Sequence, residues 1–322
     1  MAIKLKNKEM SKTPLVSVVV ITYNSAKYVL ETLESCKIQT YRNIELVISD
    51  DASTDDTIII CEEWLKKNKD RFTRTKIIEA DKNTGISPNL NRGVNAAYGV
   101  WVKMIAGDDI LLPNCVTDYI EYIHEIGENV ELIASRIISF ESDKQGDKIE
   151  KHDNPGYLFL NNSLNHQEQY QLALRAVSVS VISIFFLKSR FVEIGGCDER
   201  YPMYEDKPLL IRYLRNGTKF YYLNRFTIMR RLHNESITGK SELIVSAWKM
   251  NSFYPVHFEY IYEDLNFPEK ILFIYEYYAD KIIFNLNFKK KICYQKFASR
   301  ILRSPAILFK PFLRKMITYK YS

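Results

Sequence analysis

The sequence predicts an α/β fold: a mostly parallel sheet flanked by helices, followed by a small helical region at the C-terminal end. Three observations carry that expectation. Short β-branched runs alternate with stretches of helical spacing, the rhythm of βαβ units. The runs are apolar almost throughout, as in strands covered on both faces. Several of them end in polar, acidic sequence, which parallel strands joined by crossovers of the usual hand deliver to one edge of the sheet.

The first strand is expected at 16–21, where Ser17-Val18-Val19-Val20-Ile21 runs into Thr22-Tyr23-Asn24, with residues 26–39 helical after it. A second strand at 44–49 leads into Asp50-Asp51-Ala52-Ser53-Thr54-Asp55-Asp56-Thr57. Ser53 or Thr54 is expected to cap the next helix, with Asp55 and Asp56 favourable in its first turn. Capping leaves Asp51 unexplained, and it is a candidate to accept hydrogen bonds from a nucleobase or ribose. Further strands are expected at 75–80, 100–105 and 132–140. The strand at 100–105 ends in Gly107-Asp108-Asp109, two adjacent carboxylates after a glycine that lets the backbone turn. Hard cations prefer oxygen ligands and are often shared between one or two carboxylates and a diphosphate. The bland reading of the same tripeptide is a solvated turn.

Residues 141–165 read as an exposed polar loop beside the site, turning at Asp153-Asn154-Pro155-Gly156. Another strand is expected at 177–187, a turn through Gly195-Gly196, and a helix over 206–216 with Gly217 as its C-cap. Tyr- and Phe-rich helical segments follow at 254–262 and 271–285. The expected organisation is a polar extension over 1–13, a main α/β domain over 14–240 and a helical, basic-aromatic region over 241–322.

Composition narrows the class. Five cysteines among 322 residues are scattered without paired or zinc-type spacing, and an odd count suits a reducing compartment. The Lys-rich start lacks the apolar stretch of a secretory leader, and no run reaches membrane-spanning length. A soluble, cytoplasmic protein is expected. The net charge of +6 is unevenly placed: from Lys289 to Lys320 basic residues interleave with Ile292, Tyr294, Phe297, Ile301, Leu302, Phe309 and Phe312, with no acidic residue between them. Two readings of this tail stay open: an element lying on the inner face of an anionic membrane, or a helix packed on the main domain. No nucleic-acid-binding module accompanies the charge.

Taken in order, several of these stretches resemble the family 2 glycosyltransferases. They are Ser17 to Asn24, Asp50 to Asp55, Asn83-Thr84-Gly85-Ile86-Ser87 with Asn91 and Gly93, Gly107-Asp108-Asp109, and Tyr204-Glu205-Asp206. The resemblance runs from Leu15 to about His233. It implies the GT-A fold, a Rossmann-like sheet flanked by helices, and inverting transfer of a sugar from a nucleotide-diphosphate donor, expected to be UDP-linked, to a saccharide hydroxyl. Hexosyl or N-acetylhexosaminyl transfer in O-antigen or capsule assembly, with a lipid-linked acceptor, is the pathway that goes with it. Two departures matter. Leu90 stands where many members carry an arginine near the diphosphate, and no Gln-X-X-Arg-Trp motif of the processive synthases is present.

The implied roles follow the motifs. Thr22, Tyr23, Asn24, Asp51 and Asn91 are expected at the nucleotide-sugar, together with Asp108 and Glu205. Asp109 and His233 are expected to hold Mn²⁺ or Mg²⁺, with Arg230 or Arg231 against phosphate charge. Asp206 is expected to be the base that takes the acceptor's proton, since a carboxylate in hydrogen-bond reach of a hydroxyl can do this; the ordinary alternative is a carboxylate favoured by its helix N-terminus. A nucleotidyltransferase acting on sugar phosphates, and a non-catalytic sugar-nucleotide-binding protein, remain as other classes. The first lacks its Gly-rich basic loop after the opening strand.

Overall fold

The computed structural model describes residues 13–127, 129–143, 146–150, 161–175, 179–232, 245–285 and 301–302, with the backbone alone over 142–150. It divides into two compact units, Met1–Leu232 and His233–Ser322.

The first unit is built on a sheet whose described strands lie side by side in the order Arg74–Glu79, Ile44–Asp50, Val16–Thr22, Trp101–Ala106, Ile184–Leu187, Leu132–Asp143, Tyr221–Leu232 and Ile110–Leu111, with Gly146–Glu150 hairpinned onto Leu132–Asp143. The opening strand β1 (Val16–Thr22) is buried at every position, and so is β2 (Ile44–Asp50). Both are rich in Val and Ile, which suit a pleated surface covered on two faces. Each such side chain removed from water contributes roughly 1.5–3 kcal/mol. Between them lies α1 (Val29–Lys37), burying Val29, Leu33 and Cys36. The helices α2 (Thr57–Asn68) and α3 (Ile86–Ala96) flank the third strand, β3 (Arg74–Glu79). The strands β1, β2, β3 and β4 (Trp101–Ala106) all run parallel, so their carboxyl ends share one edge.

Beyond β4 the sheet changes character. A two-residue strand, β5 (Ile110–Leu111), follows the acidic turn, and α4 (Cys115–Ile126) covers the sheet. The long β6 (Leu132–Asp143) continues into β7 (Gly146–Glu150), so part of the stretch expected to be a loop is a hairpin; residues 151–160 lie outside the described residues. After α5 (His166–Ala173), the strand expected at 177–187 is shorter than its apolar run. A 3-10 turn at Val181–Ser183 precedes β8 (Ile184–Leu187), which runs antiparallel between β4 and β6. Side chains from β4 and α4 hold that turn, so its residues leave the ladder. Next come α6 (Lys188–Glu193), α7 (Asp206–Arg215) and β9 (Tyr221–Leu232), which lies parallel to β6 and antiparallel to β5. Gly217 takes φ +83 just past α7, as a C-cap glycine does.

The second unit contains α8 (Tyr254–Tyr260) and the longer α9 (Phe267–Asn285). Phe258 meets Phe273 and Tyr277 edge-on, with ring centroids 5.0 and 5.1 Å apart. The buried Asp280 accepts from Tyr254 Oη and from Lys249 Nζ, both at 2.6 Å. On α9, Ile271, Tyr275, Tyr278 and Ile282 recur at helical spacing and are all exposed. Among the described residues no helix is long and apolar enough to cross a membrane.

Candidate functional site

At the first two strand ends the polar residues are laced to one another. Thr22 Oγ1 donates to Asp50 Oδ1 at 2.7 Å, and Asp50 also accepts from the N–H and hydroxyl of Ser53. Asn24 takes φ +49, which an asparagine tolerates better than most residues. Its N–H donates to Ser53 Oγ and its Oδ1 accepts from Thr54 N–H, each at 2.8 Å. Asp55 accepts from Ala26 N–H and from Thr57. The expected capping by Ser53 or Thr54 is therefore replaced. The residue at the N-cap of α2 is Asp56, whose side chain makes no capping bond, because Ser53 and Thr54 are drawn to the neighbouring strand end.

Asp51 is 2 % exposed and saturated. Its Oδ2 accepts from the N–H groups of Thr84 and Gly85, at 2.8 and 2.6 Å, and its Oδ1 from Thr84 Oγ1 and Arg92 Nη2, at 2.6 and 2.9 Å. Burial alone would raise its pKa, but these donors together hold it below the usual carboxylate value. The Asp51 side chain thus fixes the turn into α3. Gly85, at φ +95, leaves no room for a side chain: a Cβ there would lie 2.6 Å from Pro202 Cβ. Asn91 is similarly engaged, exchanging bonds with Cys197 N–H and C=O and donating to Glu199. Leu90 is fully buried, so no cation replaces the absent arginine from that position. Of the residues expected at the nucleoside, Tyr23 and Asn24 are exposed, Tyr23 to 47 %.

The acidic turn after β4 is tighter. A Cβ on Gly107 would meet Thr22 Cγ2 at 2.8 Å and Ser25 Oγ at 2.9 Å, so glycine is required by close approach of the first loop. Asp109 is buried, and its Oδ1 accepts from Arg231 N–H on β9 at 2.9 Å. Burial raises its carboxyl well above the ordinary range, helped by neighbouring Asp108 and opposed by the Arg231 N–H and by Arg230. Asp108 is half-buried. Arg231 is a buried strut: its Nε donates to Asp108 C=O at 3.0 Å and its Nη2 pairs with Glu31 at 2.6 Å. Its guanidinium also stacks against Tyr28 and Phe140, so it holds the turn rather than a phosphate.

Glu205 and Asp206 open α7. Neither side chain caps the helix; Asp206 Oδ1 instead accepts from Val181 N–H at 2.7 Å. Both side chains are half-buried, and partial desolvation raises both carboxyls. Asp206 raises Glu205 further, while the Val181 N–H and Arg230 restrain Asp206. Arg230 lowers the pKa of Asp109 on one side and of Glu205 and Asp206 on the other. Arg230 thus lies within electrostatic range of both acidic loops, which are far apart in sequence. His233 lies outside the described residues.

The sequence points to Arg231 only as a phosphate partner, and it does not reveal the Val181 N–H or Lys103, a fully buried lysine on β4, as supports. Lys103 did leave a trace, as a lone charge inside an apolar run.

Among the described residues no cluster of three or more His, Cys, Asp or Glu forms a closed metal cage. A half-buried Asp108 at a strand end fits a different arrangement, a hard cation shared with a diphosphate. Asp109 has less capacity left, since one of its oxygens already accepts from the Arg231 N–H.

A mostly parallel sheet with acidic groups gathered outside the carboxyl ends of its strands is the architecture of an α/β protein that binds its ligand at that edge. The sequence profile of glycosyl transferase family 2 matches residues 17–191, more than half of the chain. The chain belongs to that family, and its fold is GT-A. Glycosyltransferase GlyG of Streptococcus pneumoniae is 32 % identical over 111 residues, 34 % of this chain and 36 % of GlyG. Chondroitin synthase of Escherichia coli is 34 % identical over 113 residues, 35 % of this chain and 16 % of that protein. Each match thus spans well under half of the relative's own length. A crystal structure of S. aureus TarS 1–349 in complex with UDP-GlcNAc shares the fold with a TM-score of 0.59 at 19 % identity, covering 83 % of this chain and 72 % of that one.

Proposed function

We propose that the protein is an inverting glycosyltransferase that moves a sugar from a UDP-linked donor to a saccharide hydroxyl. The observation that carries this is the family 2 match over residues 17–191, with Arg230 in electrostatic range of both acidic loops beside it. It supports a site with one loop turned to the donor diphosphate and the other to the acceptor. Asp206 would take the proton from the acceptor hydroxyl as that oxygen bonds to the anomeric carbon and the bond to the diphosphate oxygen breaks on the opposite face, inverting the centre. Its elevated pKa suits a base working near neutrality. Arg230 would offset diphosphate charge, and Tyr23 would lie against the nucleoside. Asp108, rather than Asp109, would hold Mn²⁺ or Mg²⁺, which supplies Lewis-acid stabilisation of the leaving diphosphate. Asp109 and Arg231 would set the shape of that turn. UDP-GlcNAc in the TarS complex makes an N-acetylhexosamine the first donor to try.

A panel of nucleotide sugars with Mn²⁺ should stabilise the protein against heat for the donor it uses, since a bound ligand stabilises in proportion to its affinity. Proton NMR of the first product should show an inverted anomeric configuration. Retained configuration, or no stabilisation by any nucleoside-diphosphate sugar, would overturn the reading.

The acceptor is proposed to be lipid-linked at the inner face of a bacterial membrane, in surface polysaccharide assembly. The exposed stripe Ile271, Tyr275, Tyr278 and Ile282 supports this, together with the uninterrupted basic character of 289–320. Apolar side chains flanked by Lys and Arg bind anionic lipid surfaces. Flotation with phosphatidylglycerol vesicles should weaken in Ile271→Ser/Tyr278→Ser and with added salt. Flotation indifferent to both would exclude the surface.

A further inference from the structure

We propose that Lys103 is a positioning residue for Asp206: its buried ammonium clamps the backbone turn at Val181–Ser183 so that the Val181 N–H is aimed at the Asp206 carboxylate. The proposal rests on the assignment of Asp206 as the base.

Lys103 sits in the middle of β4 with no exposed surface. A lysine there must find acceptors, because an unpartnered ammonium away from water is strongly disfavoured. Its Nζ donates to the carbonyl oxygen of Ile182 and, at 3.3 Å, to that of Ile184. Burial pushes its pKa down to about 8, so the ammonium persists at neutral pH. Between those two carbonyls, Ser183 C=O accepts from Tyr119 Oη at 2.7 Å, and Tyr119 is itself fully buried. Three successive carbonyls are thus held by side chains from β4 and α4. The turn closes on itself through Ser183 N–H to Ser180 C=O at 2.9 Å. With the carbonyls drawn inward, the Val181 N–H points the other way, to Asp206 Oδ1 at 2.7 Å.

That N–H favours the ionised carboxylate and opposes the effect of burial. It also fixes which oxygen remains for an incoming hydroxyl. The other charged or titratable groups acting on Asp206 and its partner are Glu205, Arg230 and the Cys197 thiol, and no hydrogen bond joins any of them to Lys103. Replacing Lys103 by an apolar residue would leave the carbonyls of Ile182 and Ile184 to seek other donors. The turn would then shift and the N–H would move off Asp206.

The test uses the full chain with isotope-labelled valine, following the Val181 amide by NMR between about pH 4 and pH 9 as Asp206 ionises. Val181→Ile assigns the resonance, and Asp206→Asn should abolish its titration. In Lys103→Met the amide should lose its carboxylate-bonded shift, and any remaining midpoint should move to higher pH. Turnover of UDP-GlcNAc should fall on the order of tenfold to a hundredfold in kcat with little change in KM, its acidic limb also moving upward. A Val181 titration unchanged from wild type would overturn the proposal. Should Lys103→Met fail to fold, Tyr119→Phe releases the same turn at Ser183 and should shift the midpoint in the same direction; no shift there overturns it equally. Near wild-type turnover in Asp206→Asn would overturn the base assignment separately, leaving the amide titration to decide the clamp.

Discussion

Asp51 and Asp206 are the same residue type at the same edge of one sheet, and the fold treats them oppositely. Asp51 is buried beneath four hydrogen-bond donors and is held more acidic than an exposed aspartate. Asp206 receives one backbone N–H, is half-buried, and is pushed the other way. A carboxylate whose lone pairs are already filled can brace a loop but has little capacity left for a proton. One that is partly desolvated and sparsely bonded gains from accepting one. The difference lies in donor count, not in proximity to the site, and it separates the braced region around β1, β2 and α3 from the reactive one around α7.

Exchanging the two roles gives the largest expected effect. Asp206→Asn should cost about 10²–10⁴-fold in turnover with donor binding intact, while its melting temperature stays near wild type. Asp51→Ala should do the reverse: it leaves Arg92 and two turn N–H groups without their partner, a loss on the order of 3 kcal/mol in denaturant unfolding. Equal stability losses in the two variants would erase the contrast.

The pH dependence sharpens it. A working base must be ionised, so turnover should rise with pH through an inflection above the exposed-aspartate value of about 3.9, because the Asp206 pKa is raised. An inflection at or below that value would place Asp206 with Asp51 among the braces.

A third contrast lies inside the acidic turn. Asp108→Ala should weaken Mn²⁺-dependent UDP binding by about tenfold or more in calorimetry, the scale of one charge-assisted contact. Asp109→Asn can still accept from Arg231 N–H and should lose less. The reverse order would return the cation to Asp109.

The smallest effect concerns Lys207, which follows Asp206, is buried, and donates to Ala173 C=O at 2.5 Å. Burial lowers its pKa to about 7, below the unfolded value. Between those two pKa values the unfolded chain binds more protons, so this group makes stability rise with pH across that window. Lys207→Met should flatten the rise; an unchanged slope in denaturant unfolding would show that Lys207 is not deprotonated in the fold.

The sequence by itself determined the class of sheet, the positions of its first strands and five polar motifs around their ends and at the start of α7. These are local features: β-branched runs make strands, a glycine permits a turn, and short polar or acidic motifs follow the first strands. Residue type and spacing also sufficed to pick out Gly107-Asp108-Asp109 and Glu205-Asp206. The division of labour among the carboxylates belongs to the tertiary structure. Asp51 became a brace because Thr84, Gly85 and Arg92, some thirty to forty residues later, converge on it. Arg231 reaches Asp109 across 122 positions, and Val181 reaches Asp206 only because Lys103 and Tyr119 bend the chain between them. A carboxylate's chemistry is set by how many donors reach it and how much water is excluded, and both depend on residues that meet only when the sheet closes.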